Sequence, residues 1–158
     1  MKPLHFFLFS LILVACQNTP VKGQSQQLTL VGTIENGTPS LSVDKPKLLA
    51  IYNANLLKLS GIDGKFTDLS IKTTSDKQYF LVFKGATYSS SLKVTEVSSN
   101  LYADGGISCT TSDCASEDFG CTPKLSGAGC YPCSNTGKCT KTVSSVSLLE
   151  WGIQILNT

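Results

Sequence analysis

The chain has 158 residues, 13 basic side chains that are all lysine, 11 acidic ones, and a formal net charge of +2. A chain this near to neutral and without arginine lacks the guanidinium forks and basic patches by which nucleic acids are read, so no nucleic acid is expected as a partner. Its single histidine is His5; everything C-terminal to it does without an imidazole base, a Ser-His-Asp or Cys-His dyad, or a His-ligated zinc or copper ion.

Lys2 precedes an almost unbroken apolar run from Leu4 to Ala15 that includes Phe6, Phe7, Leu8, Phe9, Leu11, Ile12, Leu13 and Val14. Spanning a bilayer takes roughly 20 apolar residues, so the run is too short to cross and stay. Gln17-Asn18-Thr19-Pro20 breaks it at once, which is the layout of an export signal and argues against a buried N-terminal helix. The run closes on Leu13-Val14-Ala15-Cys16, a position where a cysteine suits processing and lipid attachment better than packing.

Leu13-Val14-Ala15-Cys16 resembles the lipobox of bacterial lipoproteins. The resemblance implies that residues 1–15 are a lipoprotein signal peptide and that Cys16 becomes the lipidated first residue. A membrane is then a partner through the acyl chains, each buried methylene contributing about 0.8 kcal/mol. It also implies an address. Gln17 after the cysteine, rather than Asp, implies the outer membrane of a Gram-negative cell. The lack of an acidic cluster behind it, which some lineages use as a surface-export tag, favours the periplasmic side.

Residues 16–27, rich in Gln, Asn, Thr, Pro, Gly and Ser, have little to bury and are expected to form a flexible tether. Residues 28–158 are expected to form one α+β domain, being too few for two sizeable cores. Order is expected from Leu28. Residues 28–35, the pair Asn36-Gly37 and residues 38–43 carry a hairpin signal, because Asn-Gly tolerates the positive φ angles of a type I′ turn. Folding about that turn sets Leu30 opposite Val43, Gly32 opposite Leu41 and Ile34 opposite Pro39 on one face. Thr29, Thr33, Glu35, Thr38, Ser40 and Ser42 fall on the other. Pro39 donates no ladder hydrogen bond, which assigns the second strand to an edge.

A helix should follow, capped by Asp44, with Pro46 in its first turn and Gly61 closing it. Leu49, Tyr52, Leu56 and Leu59 recur at spacings of three and four and form a core stripe, with Lys47, Ala50, Ala54 and Lys58 on the wet face. From Lys65 to Val97 the period changes to two, with turns near Ser75-Asp76-Lys77 and Gly85-Ala86-Thr87, the pattern of a three-strand meander. Residues 78–84 are apolar on both faces and should form its central strand, between strands carrying Leu69 and Ile71 and strands carrying Leu92 and Val94. Leu149, Trp151, Ile153 and Ile155 alternate with Glu150, Gly152 and Gln154 as a final strand. A helix through Val146, Leu149, Ile153 and Leu156 fits less well because of Gly152 and the β-branched isoleucines.

Six cysteines, Cys109, Cys114, Cys121, Cys130, Cys133 and Cys139, crowd residues 105–141, whose large apolar residues are limited to Ile107, Phe119, Leu125 and Tyr131. Such a segment buries too little to offset the ordering of its backbone. An even cysteine set in an exported chain points to three bridges, each contributing about 3 kcal/mol, with the pairing undecided by spacing. The segment as a whole is similar to the Cys-rich part of small bacterial lipoproteins without an assigned activity, a likeness that carries no function. The helix-plus-meander order is similar to that of cystatin-like inhibitors and carrier domains, and fold analogy alone licenses no function either.

Four sharper chemistries compete with stapling. Cys130-Tyr131-Pro132-Cys133 has the spacing of a thioredoxin-type redox pair, which needs its first cysteine at a helix N-terminus; Gly129 before it and Ser134-Asn135-Thr136-Gly137 after it describe a turn instead. Cys121, Cys130, Cys133 and Cys139 have tolerable spacing for zinc or an iron–sulfur cluster but lack a second CxxC. Asp113, Glu117 and Asp118 could meet Asp104 around calcium, without the alternation of an EF-hand loop. A glycosidase would need two placed carboxylates, and no spacing points to a pair.

The expectation is therefore an α+β domain: an antiparallel sheet made of a hairpin, a three-strand meander and a C-terminal strand, packed on one helix, with a disulfide-rich loop segment. Its expected role is binding or structural, at the cell envelope, towards an envelope protein or a small ligand, without catalysis or a cofactor. The alternative is an envelope thiol–disulfide oxidoreductase using Cys130 and Cys133.

Overall fold

The computed structural model describes residues 28–143. The expected signal segment, the expected tether, Cys16 and the strand expected through Leu149 and Ile155 lie outside the described residues. The elements are β1 (Thr29–Glu35), β2 (Thr38–Leu41), α1 (Lys45–Ser60), β3 (Phe66–Thr73), β4 (Tyr79–Gly85), β5 (Ser89–Val97), β6 (Asn100–Thr111) and β7 (Thr140–Val143). The strands form one antiparallel sheet in the order β2-β1-β6-β5-β4-β3, with β7 paired to the second half of β6. The sheet curls until β2 nears β3, giving a nearly closed barrel with α1 against β3 and β7. The α+β class, the hairpin, the meander and the one helix of the described residues are as the sequence predicts.

Asn36 and Gly37 both take positive φ, 50° and 78°, and the hairpin they close has the expected register, Gly32 opposite Leu41 and Ile34 opposite Pro39. The ladder ends there. No pair joins Leu30 to Val43; on the other edge of β1, Leu30 pairs with Tyr102 of β6 and that register shifts between Leu30 and Gly32. This bulge adds one residue and inverts the alternation behind it. Leu30, expected inside, is 42% exposed, whereas Val31 is wholly buried. Gly32 lies where the barrel closes: a Cβ there would come within 2.3 Å of the Ser40 carbonyl oxygen and 2.5 Å of Ile71 Cδ1.

Asp44 Oδ1 accepts from Lys47 N at 2.9 Å and caps α1, Pro46 lies in its first turn, and Gly61 ends it. The buried stripe is Leu48, Leu49, Tyr52 and Leu56. Leu59, expected in it, is 51% exposed. In the last turn the half-buried residue is Ser60, whose hydroxyl donates back to the Leu56 carbonyl at 2.6 Å. Asn53 fixes the helix to the sheet by accepting from Phe66 N at 2.8 Å and donating to Phe66 O at 3.0 Å.

Tyr52 is the centre of the core. Its ring stacks on Phe83 at 3.7 Å between centroids, and its hydroxyl shares a 2.7 Å hydrogen bond with Ser90, which in turn bonds Thr110 at 2.6 Å. Burial pushes the Tyr52 phenol up to about 12, with the hydroxyls of Ser108, Ser90 and Thr110 opposing the rise. Two other hydroxyls buried in the described residues, those of Ser89 and Thr142, have no bonding partner.

β4 is buried on both faces, as its sequence predicts. Leu81 and Phe83 join the core beneath α1, while Phe80 and Val82 point the other way. Two strands arise where none is expected. β6, the longest, follows a two-residue turn at Ser98-Ser99 with φ of 51° and 65°. Its pairing with β5 jumps from Val94–Ala103 to Leu92–Ser108, so that residues 104–107 break the ladder. β7 returns from Cys139 to pair Thr142 with Ser108.

Two outcomes follow from this packing. Gly32→Ala should lower stability by about 1–3 kcal/mol in urea denaturation, because the new methyl meets backbone and a packed isoleucine. Between pH 10 and about 12 the folded chain keeps a Tyr52 proton that the unfolded chain releases, so stability should fall as pH rises, by up to about 1.4 kcal/mol per unit. Tyr52→Phe should flatten that fall, and an unchanged alkaline slope in its denaturation curves would refute the assignment.

Candidate functional site

Residues 112–139 form a cap over the sheet face opposite α1. Three bridges hold it: Cys109–Cys130, Cys114–Cys133 and Cys121–Cys139, with Cα separations of 5.8, 5.9 and 6.1 Å. The pairing is interleaved, first to fourth, second to fifth and third to sixth. Cys109 belongs to β6, so the first bridge joins cap to sheet.

Side chains from the sheet reach up to meet the cap. Phe119 sits edge-on to Phe80 at 6.1 Å, and the Ser91 hydroxyl donates to the Cys121 carbonyl at 2.6 Å. The Thr111 hydroxyl donates to the Lys138 carbonyl at 2.8 Å. Lys84, on the same face as Phe80 and Val82, donates its ammonium to the carbonyls of Ala115, at 2.9 Å, and Glu117. Burial lowers the Lys84 pKa below the usual lysine range, with Asp118 pulling the other way.

The carboxylates considered for calcium are engaged separately. Asp113 Oδ2 accepts from Lys138 N at 2.8 Å, Glu117 accepts from the Ser134 hydroxyl at 2.6 Å, and Asp118 pairs with Lys72 at 3.7 Å. Asp104 lies on β6, at the break in its ladder. Asp113 and Glu117 thus brace the 134–138 loop against the 113–117 turn.

Cys130 and Cys133 do not pair with each other. Cys130 joins Cys109 and Cys133 joins Cys114, and no helix begins at Cys130. The redox reading of this CxxC loses the geometry it needs. Of the four cysteines considered for a metal, the sulfurs of Cys121, Cys133 and Cys139 lie within 4.8 Å of one another. All three are consumed in bridges, and a disulfide offers no thiolate to a metal.

The cap also raises a small hairpin. Lys124 N donates to Gly129 O at 2.8 Å and Tyr131 N to Thr122 O at 2.8 Å, around a tight turn in which Gly127 N reaches Lys124 O at 2.9 Å. A cleft of about 220 Å³ opens between this hairpin and the β6 break, lined by Lys93, Ile107, Pro123, Lys124 and Leu125 among others. Lys124 Nζ stands 5.7 Å from the Tyr131 ring centroid. The cleft lining mixes apolar side chains with two lysines, and the cleft is a candidate ligand site among the described residues. Sequence reasoning does not find it, because it depends on a strand break meeting a loop tip; Gly105-Gly106 is the one local signal.

Compared with protein-family models, curated proteins and solved structures, the chain finds no match.

Lys84→Met should leave the Ala115 and Glu117 carbonyls without their ammonium. Amide exchange at Glu117 and Gly120 should then quicken by the equivalent of about 1 kcal/mol or more, with the β1–β2 amides unchanged.

Proposed function

We propose that the chain is a lipid-anchored envelope lipoprotein whose disulfide-stapled domain binds or scaffolds rather than catalyses. The observation that carries this reading is the division of the seven cysteines. Six pair among themselves, five in the cap and Cys109 on β6, leaving Cys16, behind the apolar N-terminal run, as the one cysteine outside that set. A cysteine at that place, in a chain whose other cysteines are bridged, suits acylation in an exported protein.

The rest of the reading fits around this division. Two or more acyl chains hold a protein to a bilayer where one does not. Residues 16–27 would let the domain stand up to about 40 Å from its anchor. We place the anchor in the outer membrane and the domain on its periplasmic side, where the cleft beside Lys93 and Lys124 would meet an envelope protein or a small ligand. The absence of histidine beyond His5 removes hydrolysis that runs through an imidazole base.

Membrane fractionation of cells making Cys16→Ser is the test. The variant should appear in the soluble fraction with its signal segment uncleaved or lost, and the parent chain should stay with the membranes. Equal partitioning of the two would exclude the anchor.

A further inference from the structure

The bridges Cys114–Cys133 and Cys121–Cys139 are neighbours, since three of their four sulfurs lie within 4.8 Å of one another. No sulfur of Cys109–Cys130 belongs to that group. Access to the two bridges is one-sided: Cys114, Cys121 and Cys133 are 1–3% exposed, whereas Cys139 is partly open to solvent. The Thr111 hydroxyl, which donates to the Lys138 carbonyl, lies 3.6 Å from Cys133 Sγ and 3.8 Å from Cys114 Sγ, so the two sulfurs of this bridge share one polar neighbour.

The geometry points to a thiol–disulfide exchange site in which a dithiol reductant enters at Cys139 and the released thiol emerges at Cys114. A thiolate of the reductant attacks Cys139 Sγ; the new mixed bridge forms, the Cys121–Cys139 bond breaks, and its electron pair leaves on Cys121 Sγ. Cys121 thiolate, already beside Cys133 Sγ, attacks it. A Cys121–Cys133 bond forms, the Cys114–Cys133 bond breaks, and the pair leaves on Cys114 Sγ, which takes a proton from solvent. The second thiol of the reductant then closes on the first, freeing Cys139 as a thiol and leaving the reductant as a cyclic disulfide. Two electrons have entered, one bridge has been lost, and the surviving one has moved.

Relocation has a structural readout. Cys114 opens the turn whose carbonyls, Ala115 and Glu117, are held by Lys84, so an event at the partly open Cys139 is passed to the buried junction between cap and sheet. Cys109–Cys130 stays outside the exchange and keeps the cap attached to β6.

The experiment is limited reduction of the full chain with dithiothreitol, acid quenching, alkylation of free thiols, and mapping of labels and remaining bridges by mass spectrometry. The species reduced by two electrons should carry label on Cys114 and Cys139 together with a Cys121–Cys133 link. Label on Cys121 and Cys139 with Cys114–Cys133 intact, or first labelling of Cys109 and Cys130, overturns the proposal. Cys139→Ser gives a second reading without reductant: the label should divide between Cys121 and Cys114, and label on Cys121 alone overturns the relay. In Cys130→Ser the label should remain on Cys109, and its spread to other cysteines would show that exchange is not confined to the clustered sulfurs.

Discussion

The structure depends on the burial of β4, β5 and β6 from both sides. One face receives α1, with Tyr52 lying flat on Phe83; the other receives a loop segment that has almost nothing apolar to bring. Phe119 against Phe80 is the main aromatic contact on that side. A cover so poor in hydrophobic area cannot order itself by burial alone. Covalent bridges therefore supply to the second face what a helix supplies to the first, and removing them would expose Phe80 and Val82 to water.

Cover and sheet are matched in polarity as well as in shape. The strand residues beneath the cap include Ser89, Ser91, Cys109 and Thr111, all buried. Small side chains let the cap backbone approach closely, and their hydroxyls answer the loop carbonyls that have no ladder of their own, as Ser91 does for Cys121 and Thr111 for Lys138. Lys84 does the same with a charge, by lending its ammonium to two carbonyls of the 115–117 turn. Carboxylates that look like a loose acidic cluster in the sequence are used inside the cap, where Asp113 and Glu117 tie one loop to another.

Residues that obey one period throughout were legible. The helix with its Asp44 cap and Gly61 stop, the Asn36-Gly37 hairpin, and β4 with apolar residues on both faces all announce themselves by spacing and turn chemistry. Legibility fails where the period is interrupted or the buried residues are polar. The extra residue at Val31 reverses the faces at the start of β1, and no local signal separates Leu30 from Val31. The second half of β6, Ile107-Ser-Cys-Thr-Thr111, reads as loop because the residues it buries, Ser108, Thr110 and Thr111 beside Cys109, are polar. Cys130 and Cys133 illustrate the limit for the site: a suggestive CxxC spacing says nothing about which more distant sulfurs each residue meets, and here each meets a different one.

The interleaved order of the bridges has a consequence for how the domain fails. Every interval between consecutive cysteines from Cys109 to Cys139 is spanned by at least one crosslink that begins before it and ends after it. A protease that severs one peptide bond anywhere in that stretch therefore liberates no fragment, and the nicked ends stay registered on the strands below. The two halves of a chain nicked once in this region part only after its sulfur chemistry is undone, so an electron donor, and not the first cut, decides when they separate.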